Sequence, residues 1–204
     1  MTAPNDRLGK LPAIGDVDQE RGEFWVENPL MIPELGENLS AFERNKLFIN
    51  VDGQKFIDGS FASSTDIDSD SRSVIGCDID RDGAQDLLVA SAGGGSLRVF
   101  SNQLLQNNRI EIRLRGVKSN RPGIGARLTA HCGDKQIVRD LFPTNGFMGI
   151  GPAAAWIGLG QAEKIDKLMI RWPAGETQEL TDLDANQSIR IRENSREIEV
   201  LHKW

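Results

Sequence analysis

The 204-residue chain predicts an all-β fold, on three observations. Apolar and charged residues alternate at period two in several runs. The clearest is Ile110-Glu111-Ile112-Arg113-Leu114-Arg115, where one set of side chains must face a core and the other water. Short apolar runs are divided by strong turn signals, among them Asp52-Gly53, Pro122-Gly123, Gly133-Asp134, Thr144-Asn145-Gly146 and Pro173-Ala174-Gly175. Helical periodicity is scarce. Asn38 or Ser40 could cap one turn through Ala41-Phe42-Glu43-Arg44, and little else reads as helix.

In order along the chain, residues 1–42 hold much Pro, Gly and acid and predict an irregular segment, with a short strand at Glu23-Phe24-Trp25-Val26. Residues 43–104 predict a meander of about four strands. Leu47–Val51 and Lys55–Ile57 flank the Asp52-Gly53 turn, and an acidic loop with Asp66, Asp68 and Asp70 follows. Ser73–Cys77, Asp86–Ala90 and Leu97–Phe100 come next, the last two parted by Gly93-Gly94-Gly95. That glycine run lacks the Lys and the following helix of a phosphate loop, so it predicts a flexible turn. Residues 105–195 predict a second β unit with strands at Ile110–Arg115, Ala126–His131, Gln136–Leu141, Lys167–Trp172 and Ser188–Arg192. Ile110, Ile112 and Leu114 should face inward, and residues 196–204 form a C-terminal tail.

The formal net charge of -6 argues against a nucleic-acid partner, which calls for a basic face. Arg and Lys in the C-terminal half stand mostly at alternate positions, as on a solvated sheet face. No apolar stretch approaches the roughly 20 residues of a membrane-spanning helix. The opening residues Met1-Thr2-Ala3-Pro4-Asn5-Asp6-Arg7 lack the apolar core of a secretory signal, which suggests a cytoplasmic chain or a fragment. Cys77 and Cys132 lie far apart in sequence and predict two buried free thiols; nothing in their spacing requires a disulfide.

The sharpest local signal is Asp78-Ile79-Asp80-Arg81-Asp82-Gly83-Ala84-Gln85-Asp86. Carboxylates recur at the first, third, fifth and ninth positions, with glycine at the sixth. A hard cation such as Ca²⁺ takes several oxygen ligands at about 2.3–2.6 Å, and this spacing wraps them around one centre. The expected ligands are Asp78, Asp80, Asp82, the Ala84 carbonyl and Asp86. The twelfth position is Val89 rather than Glu, and the flanks read as strands, so the loop is not an EF-hand. The competing reading is a metal-free, Asp-rich turn held by side-chain-to-backbone bonds. The Asp66, Asp68 and Asp70 run lacks glycine and reads first as a solvated loop and second as an auxiliary site.

These residues resemble known families. The aspartate loop with its flanking strands, opened by Glu43-Arg44-Asn45-Lys46-Leu47-Phe48-Ile49-Asn50, is similar to an FG-GAP/VCBS repeat, one four-stranded blade of an integrin-type β-propeller. The second unit resembles the ASPIC/UnbV domain of cartilage-acidic-protein-like proteins. That resemblance rests on Gly116 with Ser119-Asn120-Arg121, Gly123-Ile124-Gly125-Ala126-Arg127-Leu128, Gly146-Phe147, Gly158-Leu159-Gly160 and Trp172-Pro173-Ala174-Gly175. It implies one propeller-blade-like meander followed by a β-sandwich-like domain, in an extracellular or surface protein of adhesion type. The chain departs from the family at Ala155-Trp156-Ile157, where His-Phe is usual, and at Met148-Gly149-Ile150, where Ser-Gln is usual.

No catalytic constellation is visible. His131 and Cys132 are adjacent on a strand and so point to opposite faces, poor geometry for a shared metal or a nucleophile–base pair. His202 stands near the C-terminus. Trp156, Trp172 and Phe147 could offer a glycan platform, although such residues are more often core plugs. The expectation is a non-catalytic calcium-binding module for a protein or glycan partner. The alternatives are a self-associating structural protein and an accessory protein of a secondary-metabolite pathway. A lone blade leaves a face and two edges uncovered; residues 1–42 or the second unit could cover them, but the few apolar clusters in 1–42 favour a homodimer or partner through Leu87, Val89, Val99 and Phe100.

Overall fold

A computed structural model describes residues 44–51, 53–67, 71–91, 96–104, 107–144 and 146–204. The irregular segment 1–42 with its strand at 23–26, most of the expected helical turn, Asp68, Asp70 and the Gly93-Gly94-Gly95 turn lie outside these residues. The described chain is all-β, with no helix among the described residues.

Among the described residues thirteen strands follow in order: β1 (Phe48–Val51), β2 (Lys55–Asp58), β3 (Ser71–Cys77), β4 (Asp86–Ser91), β5 (Arg98–Phe100), β6 (Asn108–Arg115), β7 (Arg127–Cys132), β8 (Lys135–Asp140), β9 (Ala154–Gly160), β10 (Lys164–Arg171), β11 (Thr177–Asp184), β12 (Gln187–Arg192) and β13 (Ile198–Lys203). The chain divides into two compact units, Met1–Ser73 with Val89–Arg98 and Val74–Leu88 with Val99–Trp204.

In the first unit, β1 and β2 pair as an antiparallel hairpin, with Val51 opposite Lys55. Gly53 takes φ 70°, the left-handed conformation the turn needs. The chain then turns sharply. Ser60 Oγ donates to Asp58 Oδ1 at 2.5 Å and accepts the Leu47 N–H at 2.8 Å, while Ser60 O receives the N–H groups of Thr65 and Asp66. Asp66 is paired with Arg44 at 2.7 Å. Among the described residues, the strands before residue 104 do not form one four-stranded blade. They form the β1-β2 hairpin and a separate three-stranded sheet ordered β3-β4-β5. The four-stranded meander expected from sequence is corrected to that extent.

The second unit contains two four-stranded sheets, ordered β11-β10-β7-β8 and β13-β12-β6-β9. Their apolar faces supply one core. Ile110 and Ile112 are 0% exposed and Leu114 is 6%, as the period-two pattern of β6 predicts. Ile189 and Ile191 of β12, Leu128 and Ala130 of β7, and Leu168 and Ile170 of β10 join them. Burying each of the larger side chains is worth about 1.5–3 kcal/mol against leaving it in water. All pairings in these sheets are antiparallel except β6 with β12, which run parallel from Gln187 opposite Ile110 to Arg192 opposite Arg115. Residues 196–204, read from sequence as a tail, contain β13, which pairs with β12.

Trp172 is 1% exposed, and its Nε1 donates to Gln178 Oε1 at 3.0 Å, so it is a core plug and not part of a glycan platform. Phe147 is exposed. Cys132 is buried and Cys77 half-buried, and both are free thiols. Cys132 belongs to the core and the neighbouring His131 does not, as the strand pleat requires. Among the proposed interface residues, Val89 is buried and therefore no contact surface, Leu87 and Phe100 are half-buried, and Val99 is exposed.

Candidate metal centre

The aspartate loop joins β3 to β4 and lies within the second unit. Its shape follows from its own side chains. Asp78 Oδ2 accepts the Gly83 N–H at 3.0 Å, Asp80 Oδ1 the Asp82 N–H at 3.2 Å, and Asp82 Oδ1 the Ala84 N–H at 2.7 Å. Each short acidic side chain thus caps the backbone a few residues ahead, the habit that makes aspartate a turn former. Gly83 takes φ 86°. A Cβ there would lie 2.5 Å from Trp204 Cδ2 and 2.6 Å from Arg109 Nε, so conformation and space both require glycine.

Asp86 closes the loop. It is 3% exposed, accepts the Ile79 N–H on Oδ2 at 2.9 Å and the Asn102 N–H on Oδ1 at 2.8 Å. The turn is clamped from outside by Arg109 of β6, whose Nε donates to Gly83 O at 2.5 Å and whose Nη2 donates to Asp82 O. The same guanidinium lies 5.5 Å from the Trp204 ring centroid. Sequence reasoning missed this clamp. Arg109 is one more charged residue on an alternating strand, and nothing local marks its partners, which lie 26 and 27 residues away.

Single carboxylate oxygens of Asp78, Asp80 and Asp86 all lie within 4.8 Å of one another. Of the four expected carboxylates the fold thus gathers three. Asp82 stands outside this group, with one oxygen engaged by Ala84 N–H. Ala84 is buried. Asp78 Oδ1 is buried with no hydrogen-bond partner among the described residues. Burial pushes the Asp78 carboxyl above its ordinary range, and the nearby Asp82 and Asp80 charges add to this, against the N–H groups of Gly83 and Arg81. Converging carboxylates with an unmet oxygen, in an all-oxygen donor set, fit a hard divalent cation, which would relieve both the repulsion and the missing partner.

A second feature lies in the segment Gly116–Arg121 between β6 and β7. Its backbone wraps the Glu193 carboxylate. Oε2 accepts the N–H groups of Val117 at 2.5 Å, Lys118 at 2.7 Å and Ser119 at 2.9 Å, and Oε1 accepts the Ser119 hydroxyl at 2.7 Å. Gly116 donates its N–H to Arg121 O at 2.9 Å. A Cβ at Gly116 would stand 2.2 Å from Asn120 O, so the loop closes only over glycine. The backbone of Val117–Ser119 is therefore an anion cradle for the chain's own glutamate, closed by the Gly116–Arg121 bond.

No curated protein matches the chain. Residues 116–198, less than half of the 204-residue chain, match the family model described as ASPIC and UnbV, which supports the ASPIC/UnbV part of the resemblance for that segment.

Proposed function

We propose that the chain is a non-catalytic interaction module whose β3–β4 loop binds calcium. The observation that carries this reading is the convergence of Asp78, Asp80 and Asp86 around a buried Asp78 oxygen that has no partner among the described residues. Asp82 and the Ala84 carbonyl complete the proposed ligand set, Asp82 through its second oxygen. The loop between two strands also supports the finer likeness to an FG-GAP/VCBS repeat. Bound calcium would hold together the turn that the Arg109 clamp fastens to β6, and so stabilise the face presented to a protein or glycan partner.

A cation that binds only the native state stabilises it by mass action, about 2.7 kcal/mol at a hundredfold excess over Kd. The test is thermal unfolding in CaCl₂ and in EGTA. The melting temperature should fall in EGTA, and Asp80→Ala should abolish the difference. Coincident curves for the unmodified protein would refute calcium binding.

Self-association is the second reading. Phe48, Phe56, Ile57 and Phe61 in the first unit are all exposed, Phe61 at 89%. Apolar exposure of this kind favours burial against a second copy or a partner.

A further inference from the structure

The outer face of the β13-β12-β6-β9 sheet carries a pocket of about 350 Å³, at the small end of ligand sites. It lies wholly within the second unit. Arg113 and Arg190 stand there as cross-strand neighbours on β6 and β12, and Arg81 reaches it from the aspartate loop. Trp156, His202 and Trp204 form the aromatic wall. The two tryptophans stack with centroids 5.8 Å apart at 26°, and His202 meets Trp204 edge-on at 6.2 Å.

The donors on this surface are only partly used. Glu111, on the pocket floor, is 4% exposed and satisfied. Oε1 accepts from Arg113 Nε at 2.9 Å, and Oε2 accepts from Ser188 Oγ. That bond fixes the Arg113 guanidinium and leaves both its Nη groups without a partner among the described residues. Arg190 donates through Nη1 alone, to both Glu199 oxygens at 2.9 and 3.0 Å. Arg81 is exposed and has no carboxylate partner among the described residues. Three guanidinium groups with open N–H donors beside stacked indoles have two matching ligand features: an oxyanion, taken by fork-shaped donors, and a flat C–H-bearing ring face, taken by the aromatics.

We infer that this pocket binds an acidic sugar, its carboxylate or sulfate held by Arg113, Arg190 and Arg81 and its ring packed on the Trp156–Trp204 wall. A carboxylate on a peptide would satisfy the arginines but leave the indole wall without a ring partner. The inference deepens the interaction-module reading, on which it rests for a ligand-binding role, but does not need the metal. Asp78 borders the pocket, so a cation in the loop would offset the one lining carboxylate not already bonded to a pocket arginine.

The test is calorimetric titration of the full chain with D-glucuronate, glucose 6-sulfate, glucose and a Glu-rich tetrapeptide, each in CaCl₂ and in EGTA. Saturable binding of glucuronate or of the sulfate ester is expected, at least about tenfold tighter than glucose, since a charge-assisted bond is worth that factor or more. Glucuronate and the sulfate ester distinguish a carboxylated from a sulfated ligand, and binding of either supports the inference. Arg190→Gln and Arg81→Gln, at sites outside the core, should each weaken binding by about fivefold to tenfold with an unchanged melting temperature. Arg113→Gln is a poorer probe, because it strips the cation from buried Glu111. Binding in EGTA as well as in calcium supports the pocket independently of the metal. A melting response to calcium with no sugar binding overturns the pocket alone. Glucose binding as tightly as glucuronate, a peptide binding more tightly than either sugar, or indifference to both arginine substitutions would also overturn it.

Discussion

Replacing Glu193 with Gln tests how much one internal carboxylate contributes to this fold. Glu193 is 2% exposed and follows β12, yet its partners Val117, Lys118 and Ser119 lie 74 to 76 residues earlier. Burial pushes its carboxyl up, but the N–H groups of Ser119, Val117 and Lys118 and the Ser119 hydroxyl more than reverse that and hold it at about 2, against an ordinary 4.5. A depression of that size corresponds to about 3 kcal/mol of native-state stability at neutral pH, to within about a factor of two. The folded value is the lower one, so the contribution is complete above pH 4.5 and is lost as pH falls toward 2. The neutral amide of Gln keeps one acceptor oxygen but places an NH₂ against a cluster of donors. Glu193→Gln should therefore cost about 2–3 kcal/mol and lower the melting temperature by roughly 5–15 °C. The assay is thermal and denaturant unfolding of both proteins from pH 7 to pH 2.5. The gap between them should be widest at neutral pH and narrow below pH 4.5. A melting temperature within about 1 °C of the unmodified protein at pH 7, or a gap independent of pH, would refute the claim that this cradle is a significant charge-assisted contact.

The remaining expectations concern the core, the loop clamp and association. Leu168→Ala, at a fully buried position of β10, should cost about 2–5 kcal/mol in denaturant unfolding, and a loss under 1 kcal/mol would mean that the site repacks freely. Arg109→Ala should loosen the aspartate loop without touching its carboxylates, so amide exchange at Gly83 and Ala84 should accelerate; unchanged exchange would show that the loop holds its shape without the clamp. Light scattering at rising concentration should reveal a dimer that Phe61→Ser weakens, whereas a monodisperse monomer throughout would argue against self-association.

The sequence by itself determined the strand faces and the turn chemistry. The alternation in Ile110–Arg115 separates core from solvent because a pleated strand has a period of two, and no partner need be known to read it. The aspartate loop was legible for a similar reason: its bonds span two to seven residues, so its shape is written locally. Elements with weak local patterns were not legible. β11 reads Thr-Gln-Glu-Leu-Thr-Asp-Leu-Asp, with two apolar residues in eight, and is a strand because Leu180 and Leu183 close the core beside β10. β9 is largely apolar and small, without the alternation that marks β6.

Tertiary structure alone decided the parallel pairing of β6 with β12, the placing of Asp82 outside the carboxylate cluster, and the meeting of Gly116–Ser119 with Glu193. It also changed the meaning of the alternating arginines. From sequence, Arg113 and Arg190 belong to a solvated face; in the fold they stand side by side over a buried glutamate and next to stacked tryptophans. The physical reason is the same in each case. Local pattern says which way a side chain points, but contacts between distant strands are selected by the joint burial of both apolar faces, and polar partners on the outer face are brought together as a consequence of that packing.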